Sequence, residues 1–337
     1  MRTIKSLAFV LIAAALPLLA QTNWQLVRTM HIGGTGGWDY VTVDRQNHHL
    51  YVTRSTHTMV IDSESGKVLA DIPGQKRSHG VAIVPEAGRG FISDGGGEGA
   101  IVIFDLKTNA VLGTIAAQPD ADGIIYDRSI GRVLCVSGDG GVLMSLDPNV
   151  DPKTGKLEAT IELGGKPEFF ASDRKGNVYV NLEDKDQVAV VDMKARKVLT
   201  HWPVAPGGAP VGMAMNTRNR QLFIGCRKPA KMIVMDADSG KVLADLPIGA
   251  GVDATALDKG EAFASSGDGT LTVVKQTAPG KFEVAETVET ARGARTMGVD
   301  RTTDTIYLPT AEFEPSEAGK RPAAKPDSFM ILVVGKK

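Results

Sequence analysis

An all-β fold, a seven-bladed β-propeller of four-stranded antiparallel blades, is predicted by three features of the sequence. The first is a β-hairpin that occurs twice: residues 59–74 read MVIDSESGKVLADIPG and residues 233–249 read IVMDADSGKVLADLPIG. The two copies start 174 residues apart, which corresponds to four units of about 43 residues. The other two features are short strands with period-two alternation and Asp-containing turns that join them.

The repeat units keep a regular spacing when the apolar strand that ends in Asp is aligned. Successive terminal Asp residues are 43, 42, 45 and 44 residues apart, and they are Asp62, Asp105, Asp147, Asp192 and Asp236. Two degenerate copies follow at residues 272–275 and 330–334, which makes seven units. Each unit has earlier strands, such as residues 40–44 and 50–53 in the first. Four short strands in about 43 residues is the length of a propeller blade.

The two ends of the chain predict how the ring of blades closes. The last unit stops after its third strand, at residues 329–334, whereas Trp24–His31 is a strand-like segment before the first complete unit. The N-terminal strand can supply the missing fourth strand and close the ring. Residues 21–337 are therefore predicted to form one propeller domain. Within it, residues 312–327 are a loop insertion in the last blade, either a lid or partner-binding loop or a plain linker.

The first 20 residues have the layout of a secretory signal peptide. Arg2 and Lys5 precede an apolar run over residues 7–19, and Ala20 stands before the polar Gln21. The apolar run is short for a membrane span, so we expect no span after cleavage behind Ala20. The mature protein is therefore expected to be periplasmic or secreted.

The charge balance and the missing motifs exclude several function classes. The 337 residues carry a formal net charge of −1, which gives no electrostatic reason to expect nucleic-acid binding. The chain has no GxSxG, HExxH, CxxC, CxxCH or phosphate-loop motif, so no nucleotide, flavin or haem cofactor is indicated. A monomer that binds a protein partner or a small molecule is expected instead.

The repeat motif resembles a known family. Residues 50–53 read LYVT and residues 178–181 read VYVN, and the Asp turn is followed by SGKVLA. These motifs resemble the YVTN-type repeats of YncE-like seven-bladed β-propeller proteins over essentially the whole chain after residue 20. The resemblance implies an extracytoplasmic protein, and related propellers include sugar-lactone hydrolases, lyases and subunits of periplasmic dehydrogenases. The chain departs from the repeat at Arg54, at Lys275 and in the insertion.

Acidic residues recur where the innermost strand of each blade starts, so they should form a ring at one mouth of the central channel. The seven ring positions are Asp39, Gly80, Asp122, Glu168, Val211, Asp253 and Arg295. His79 is one step out of register and can reach the same mouth. Trp38, Tyr40 and Phe169 can supply apolar or stacking walls. Crowded carboxylates raise each other's pKa or recruit a cation. Ca²⁺ or Mg²⁺ is the metal that four carboxylates favour, with Asp39, Asp122, Glu168 and Asp253 as candidate ligands.

The sequence leaves the function open between a binding protein and an enzyme. The first hypothesis is a binding or scaffold propeller that takes a partner or small ligand at the channel mouth. The second is a metal-assisted hydrolase, similar to a lactonase, or a lyase that uses the carboxylate ring. A solvated ring of acids that only balances Arg295 is a third interpretation.

Overall fold

The computed structural model of the protein describes residues 23–315 and 322–337. The predicted signal peptide at residues 1–20 lies outside the described residues, as do residues 316–321 of the insertion. The predicted export signal therefore stays a prediction.

The described chain is built from short antiparallel strands. In chain order they are β1 (Trp24–His31), β2 (Val41–Asp44), β3 (His49–Thr53), β4 (Ser55–Asp62), β5 (Val68–Val84), β6 (Arg89–Asp94), β7 (Ala100–Asp105), β8 (Val111–Ala116), β9 (Ala121–Asp127), β10 (Arg132–Ser137), β11 (Val142–Leu146), β12 (Ala159–Glu162), β13 (Pro167–Ser172), β14 (Asn177–Leu182), β15 (Gln187–Asp192), β16 (Lys197–Pro203), β17 (Pro210–Asn216), β18 (Gln221–Arg227), β19 (Ala230–Asp236), β20 (Val242–Pro247), β21 (Val252–Asp258), β22 (Glu261–Ser266), β23 (Thr270–Ala278), β24 (Lys281–Glu289), β25 (Gly298–Asp300), β26 (Thr305–Thr310) and β27 (Met330–Lys336).

These strands form seven blades, as the sequence predicts. Blades three to six are four-stranded sheets made of β9–β12, β13–β16, β17–β20 and β21–β24. Blades one and two share β5, whose first part pairs with β4 and whose last part pairs with β6. The helical residues within the described chain are two three-residue 3₁₀ turns, Pro85–Ala87 and Glu183–Lys185. Among the residues described here, no helix is long and apolar enough to cross a membrane.

Blade seven closes the ring with strands from both ends of the chain. Its order is β1-β27-β26-β25, so the N-terminal strand is the outermost strand of the last blade. β1 pairs antiparallel with β27 from Trp24 opposite Lys336 to His31 opposite Met330. The predicted closure by Trp24–His31 is therefore confirmed.

Alternation along each strand produces the core between blades. In β14, Val178 and Val180 pack with residues of blade three, including Leu134. Tyr179 lies between them in sequence and packs on the opposite side, with residues of blade five such as Leu222. Because successive side chains of a strand point to opposite faces, one strand fills two interfaces between blades.

The recurring Asp residues close the outer hairpins. Asp62 Oδ1 accepts hydrogen bonds from the backbone N–H (2.7 Å) and the hydroxyl (2.6 Å) of Ser65. Asp236 Oδ1 makes the same bonds to Ser239 at 2.8 Å and 2.6 Å. These Asx turns fix the chain reversal and lower the pKa of both carboxyl groups. The hydrogen bonds that close the hairpin therefore explain why Asp stands in the turn at residues 236–240.

The described ends of the insertion form a paired stem beside blade one. Phe313 pairs with Ala324, and Lys325 Nζ lies 3.0 Å from Glu312 Oε2. The ring of Phe313 packs 6.0 Å from the ring of Trp38. The insertion joins the second and third strands of its blade, and such loops lie on the same face as the starts of the innermost strands. The stem therefore stands at the rim of the mouth predicted to hold the acidic ring.

Candidate functional site

The innermost strands bring six of the predicted residues to one mouth of the channel, which we call the acidic mouth. Each residue comes from a different blade, at or just before the start of the innermost strand. The six are Asp39, His79, Asp122, Glu168, Asp253 and Arg295. The ring predicted from the strand alignment is thus present as geometry, and its ligand stays a prediction.

Asp39, His79 and Asp122 form the tightest group in the acidic mouth. His79 Nδ1 lies 2.7 Å from Asp39 Oδ2 and 3.6 Å from Asp122 Oδ1. One potential ligand atom of each residue lies within 4.8 Å of the other two. His79 is only 8% exposed, and its Nε2 is buried near Gly95 without a hydrogen-bond partner among the described residues. The histidine is therefore held in place, with Nδ1 between two carboxylates.

Burial and crowding shift the pKa values of this group. Burial and the nearby Asp253 raise the pKa of Asp39, against the opposing effect of the His79 hydrogen bond. Burial, together with the charges of Asp39 and Asp120, raises the pKa of Asp122 to about 7. Burial alone lowers the pKa of His79, but its bond to Asp39 and the charge of Asp122 raise it to about 9. Near neutral pH, His79 is therefore protonated and Asp122 is close to its pKa, so a bound cation would compete with protons at these two residues.

Glu168 and Glu183 form a second pair of carboxyl groups in the acidic mouth. Burial, the charge of Asp122 and a hydrogen bond with Glu183 raise the pKa of Glu168 to about 8. Arg227 Nη1 donates to Glu183 Oε1 at 3.0 Å. Near neutral pH, Glu168 therefore carries a proton that it shares with Glu183.

Asp253 is held by two arginines. Arg295 Nε donates to Asp253 Oδ2 at 2.5 Å, and Arg227 Nη2 donates to Asp253 Oδ1. Both oxygens of Asp253 are thus committed to guanidinium groups. The metal ligands predicted from sequence included Asp253 and Glu168, whereas the structure gathers Asp39, Asp122 and His79 instead.

Arg227 and Glu183 belong to the acidic mouth although the strand alignment did not indicate them. Arg227 ends β18, the second strand of its blade, and Glu183 directly follows β14, also a second strand. Second strands end on the face where innermost strands begin. Aligning the ends of the second strands as well would have identified both residues.

Trp38 lies apart from the acidic group. Its ring packs 5.7 Å from Phe329 and 6.0 Å from Phe313, in the core beside the insertion. The other two predicted wall residues, Tyr40 and Phe169, stack their rings at 5.1 Å. The Tyr40 hydroxyl donates to the backbone oxygen of Asp253 at 3.4 Å, which spans the channel from blade one to blade six.

These shifts predict that the metal-free protein loses stability as pH rises. A folded carboxyl with a raised pKa holds a proton that the unfolded chain has released, so the free energy of unfolding falls with pH from about 4 to the raised values of Asp122 and Glu168. The stability that His79 gains from its raised pKa is lost in the same direction, above its ordinary 6.5 and towards about 9. Each group contributes a slope of at most about 1.4 kcal/mol per pH unit.

Urea unfolding with chelator at a series of pH values measures this slope. Asp122→Asn removes one of the raised carboxyls, so its slope should be shallower than that of the wild type between about pH 5 and 7. Equal slopes in the two proteins would show that Asp122 titrates at its ordinary pKa.

Solved structures with the same architecture come from unrelated assemblies. A chain of the hydrazine synthase of Kuenenia stuttgartiensis aligns with a TM-score of 0.69 and 10% identity, over 82% of this chain and 94% of that chain. A chain of a mitotic checkpoint complex aligns with a TM-score of 0.75 and 14% identity, over 98% of each chain. At such identities the likeness shows the fold alone, and the fold is a β-propeller. No family model matches this chain, and no curated protein matches it.

Proposed function

We propose that this protein is an extracytoplasmic ligand-binding propeller, similar to YncE-like proteins, whose acidic mouth holds a divalent cation. The convergence of Asp39, His79 and Asp122, with ligand atoms within 4.8 Å of one another, is the observation that carries the proposal. A cation at this point favours the charged form of both carboxyl groups, whose pKa is raised first by burial and then by neighbouring carboxylates. Carboxylate oxygens favour Ca²⁺, Mg²⁺ or Mn²⁺, and one imidazole suits Mn²⁺ among these.

Arg295 supports a small anionic ligand beside the cation. Its Nε is bonded to Asp253, and its terminal nitrogens have no partner among the described residues. The side chain is 44% exposed, so these N–H groups face solvent at the mouth. Guanidinium groups bind carboxylates and phosphates through such paired donors. A carboxylate ligand would therefore bridge the cation and Arg295.

Calorimetric titration of chelator-treated protein with Mn²⁺, Ca²⁺ and Mg²⁺ tests the cation site. We expect one site per chain for at least one of these ions. Asp39→Asn and Asp122→Asn should each weaken its binding by about tenfold or more, since each removes a charged ligand. Asp238→Asn is the matched control because it removes a carboxylate from the outer Asp-rich turn. Binding that survives in Asp122→Asn, or that falls equally in Asp238→Asn, would place the ion elsewhere.

A metal-assisted hydrolase or lyase is the second candidate function. The pKa values of about 7 for Asp122 and about 8 for Glu168 suit proton transfer near neutral pH. Near neutral pH, the protonated Glu168 would donate a proton to a leaving group, and the ionised fraction of Asp122 would accept one from a substrate, while a bound metal would supply Lewis-acid chemistry. Turnover of a lactone or ester panel that requires metal, and that Glu168→Gln abolishes while metal still binds, would favour this candidate.

Protein partners are a further part of the proposal. One structural neighbour belongs to a mitotic checkpoint complex, and its fold likeness supports a role for this propeller in protein binding. The stem of the insertion stands on the same face as the acidic mouth and offers such a partner an additional surface. We propose export on the basis of residues 1–20, and N-terminal sequencing of protein from fractionated cells tests it: a start at Gln21 is the expected result.

A further inference from the structure

Basic residues recur in the turns at the opposite end of the channel from the acidic mouth. In five of the seven blades, the innermost strand is followed by a basic residue directly after an Asp. The five pairs are Asp44-Arg45, Asp127-Arg128, Asp173-Arg174, Asp258-Lys259 and Asp300-Arg301. In blade five, Arg218 stands two residues after the strand that ends at Asn216. Because all these turns lie on one face, cations converge from several blades.

In four of the five pairs, all except Asp258-Lys259, the Asp accepts a backbone hydrogen bond within its own turn. Asp44 is 2% exposed, and its Oδ1 accepts hydrogen bonds from the backbone N–H of Gln46 at 3.1 Å and Asn47 at 3.2 Å. Asp173 is equally buried and accepts from Lys175 at 2.7 Å and Asn177 at 2.9 Å. Since these carboxylates are used within their turns, they do not pair with the arginines that follow them.

Four arginines of these turns are exposed at this end of the channel. They line one cavity, and their side chains make no hydrogen bond or ion pair with any described residue. We call this group the basic mouth, and its members are Arg45, Arg174, Arg218 and Arg301. Burial, together with the charges of Arg174 and Arg45, lowers the pKa of Arg301 despite the nearby Asp258. The three arginines thus repel one another, and the carboxyl of Asp258 is hydrogen-bonded to Asp304.

The cavity behind the basic mouth is lined by both polar and apolar side chains. Its volume is about 1020 Å³, the size of a small-molecule site. Val43, Ile125 and Leu257 are among the side chains along its walls. Tyr40 and Phe169, whose rings stack at 5.1 Å, line the cavity as well as the acidic mouth.

We propose that the basic mouth binds a small organic anion. A carboxylate, phosphate or sulfonate group lies between Arg45, Arg174 and Arg301, and an apolar body extends along the channel towards Tyr40. Guanidinium groups that repel one another gain from an anion between them, and apolar walls gain from a ligand that displaces water. The arginines of this site are not among the residues that hold the cation proposed above, which are Asp39, His79 and Asp122.

Fluorescence titration with anilinonaphthalene sulfonate, an aromatic anion, tests the proposal. We expect saturable binding at one site per chain, weakened by added NaCl and competed by citrate. The double variant Arg174→Gln with Arg301→Gln should raise the Kd by at least about tenfold, since it removes two charged donors to the anion. Arg128→Gln is the matched control: Arg128 follows an Asp in the same way but pairs with Glu86 at 2.8 Å, outside the cavity.

Three outcomes would overturn the proposal. They are an unchanged Kd in the double variant, an equal loss in Arg128→Gln, and no saturable binding to the wild type. Urea unfolding of each variant shows whether a lost signal reflects lost folding. Because metal binding at the acidic mouth uses other residues, its titration succeeds or fails independently of this result.

Discussion

Replacement of Trp24 by Ala is expected to lower the free energy of unfolding by about 3–5 kcal/mol. Trp24 is 1% exposed, and its ring meets that of Phe263 edge-on at 5.0 Å. Its indole nitrogen donates to Glu261 Oε2 at 3.1 Å, and the ammonium of Lys336 lies 4.9 Å from its ring centroid. Phe263 and Glu261 belong to blade six, so one side chain of the N-terminal strand ties the closing blade to its neighbour.

Urea unfolding of three variants separates closure from general loss of strand stability. Leu26→Ala changes the same strand at a side chain that is 42% exposed, so it should cost less than about 0.5 kcal/mol. Trp24→Phe keeps most of the apolar contact and loses the bond to Glu261, so its cost should lie between the other two. If Trp24→Ala and Leu26→Ala had the same free energy of unfolding, β1 would pair with β27 but its Trp24 side chain would not stabilise the closed ring.

The repeat could be predicted from the sequence because it is local. An Asx turn such as that at Asp62 needs only the residues two and three positions on, and strand alternation needs only near neighbours. Closure by Trp24–His31 followed from counting strands in the last unit. The structure confirms the β-propeller that these features predict, whereas membership of the YncE-like family stays a prediction.

The acidic mouth was only partly predictable because its contacts join distant residues. Aligning the innermost strands predicted that Asp39, Asp122 and Asp253 lie at the same end of the channel. It did not predict the direction of each side chain. Two arginines neutralise Asp253, and one of them, Arg227, comes from a strand that the alignment did not use. Trp38 has the right height, yet it packs on Phe329 because the insertion brings a second aromatic core to that edge.

Arg54 shows how a departure from the repeat can carry structure. It stands where the repeat motif has Asn, and it is fully buried without a carboxylate partner among the described residues. Its guanidinium donates to backbone oxygens of the glycine-rich loop 33–37, at 3.0 Å for Gly37 and 2.9 Å for Thr35. Its Cζ also lies 3.8 Å from the ring centroid of Phe329. Carbonyl dipoles and an aromatic face thus replace the water that the cation has lost.

The glycines of this loop permit the carbonyl arrangement. Gly36 has a φ of +96°, a conformation that L side chains rarely adopt, and an added Cβ would lie 3.0 Å from the Arg54 carbonyl oxygen. The glycine-rich loop therefore binds a cationic side chain of its own chain. Burial lowers the pKa of Arg54 to about 10, so the side chain stays charged at neutral pH.

Arg54→Met is expected to lower the free energy of unfolding by about 3–5 kcal/mol, because it leaves several buried carbonyl groups unpaired. Arg54→Lys keeps the charge but cannot reach as many carbonyls, so it should lose less. Arg128→Gln, at an exposed side chain, serves as the control. If Arg54→Met lowered the free energy of unfolding by no more than Arg128→Gln does, the loop would need no cation. Because the loop leads directly to Asp39, Arg54→Met should also weaken Mn²⁺ binding in the protein that remains folded. Trp24→Ala, at the far edge of blade seven, should leave that binding unchanged, and this contrast separates local positioning of Asp39 from global stability.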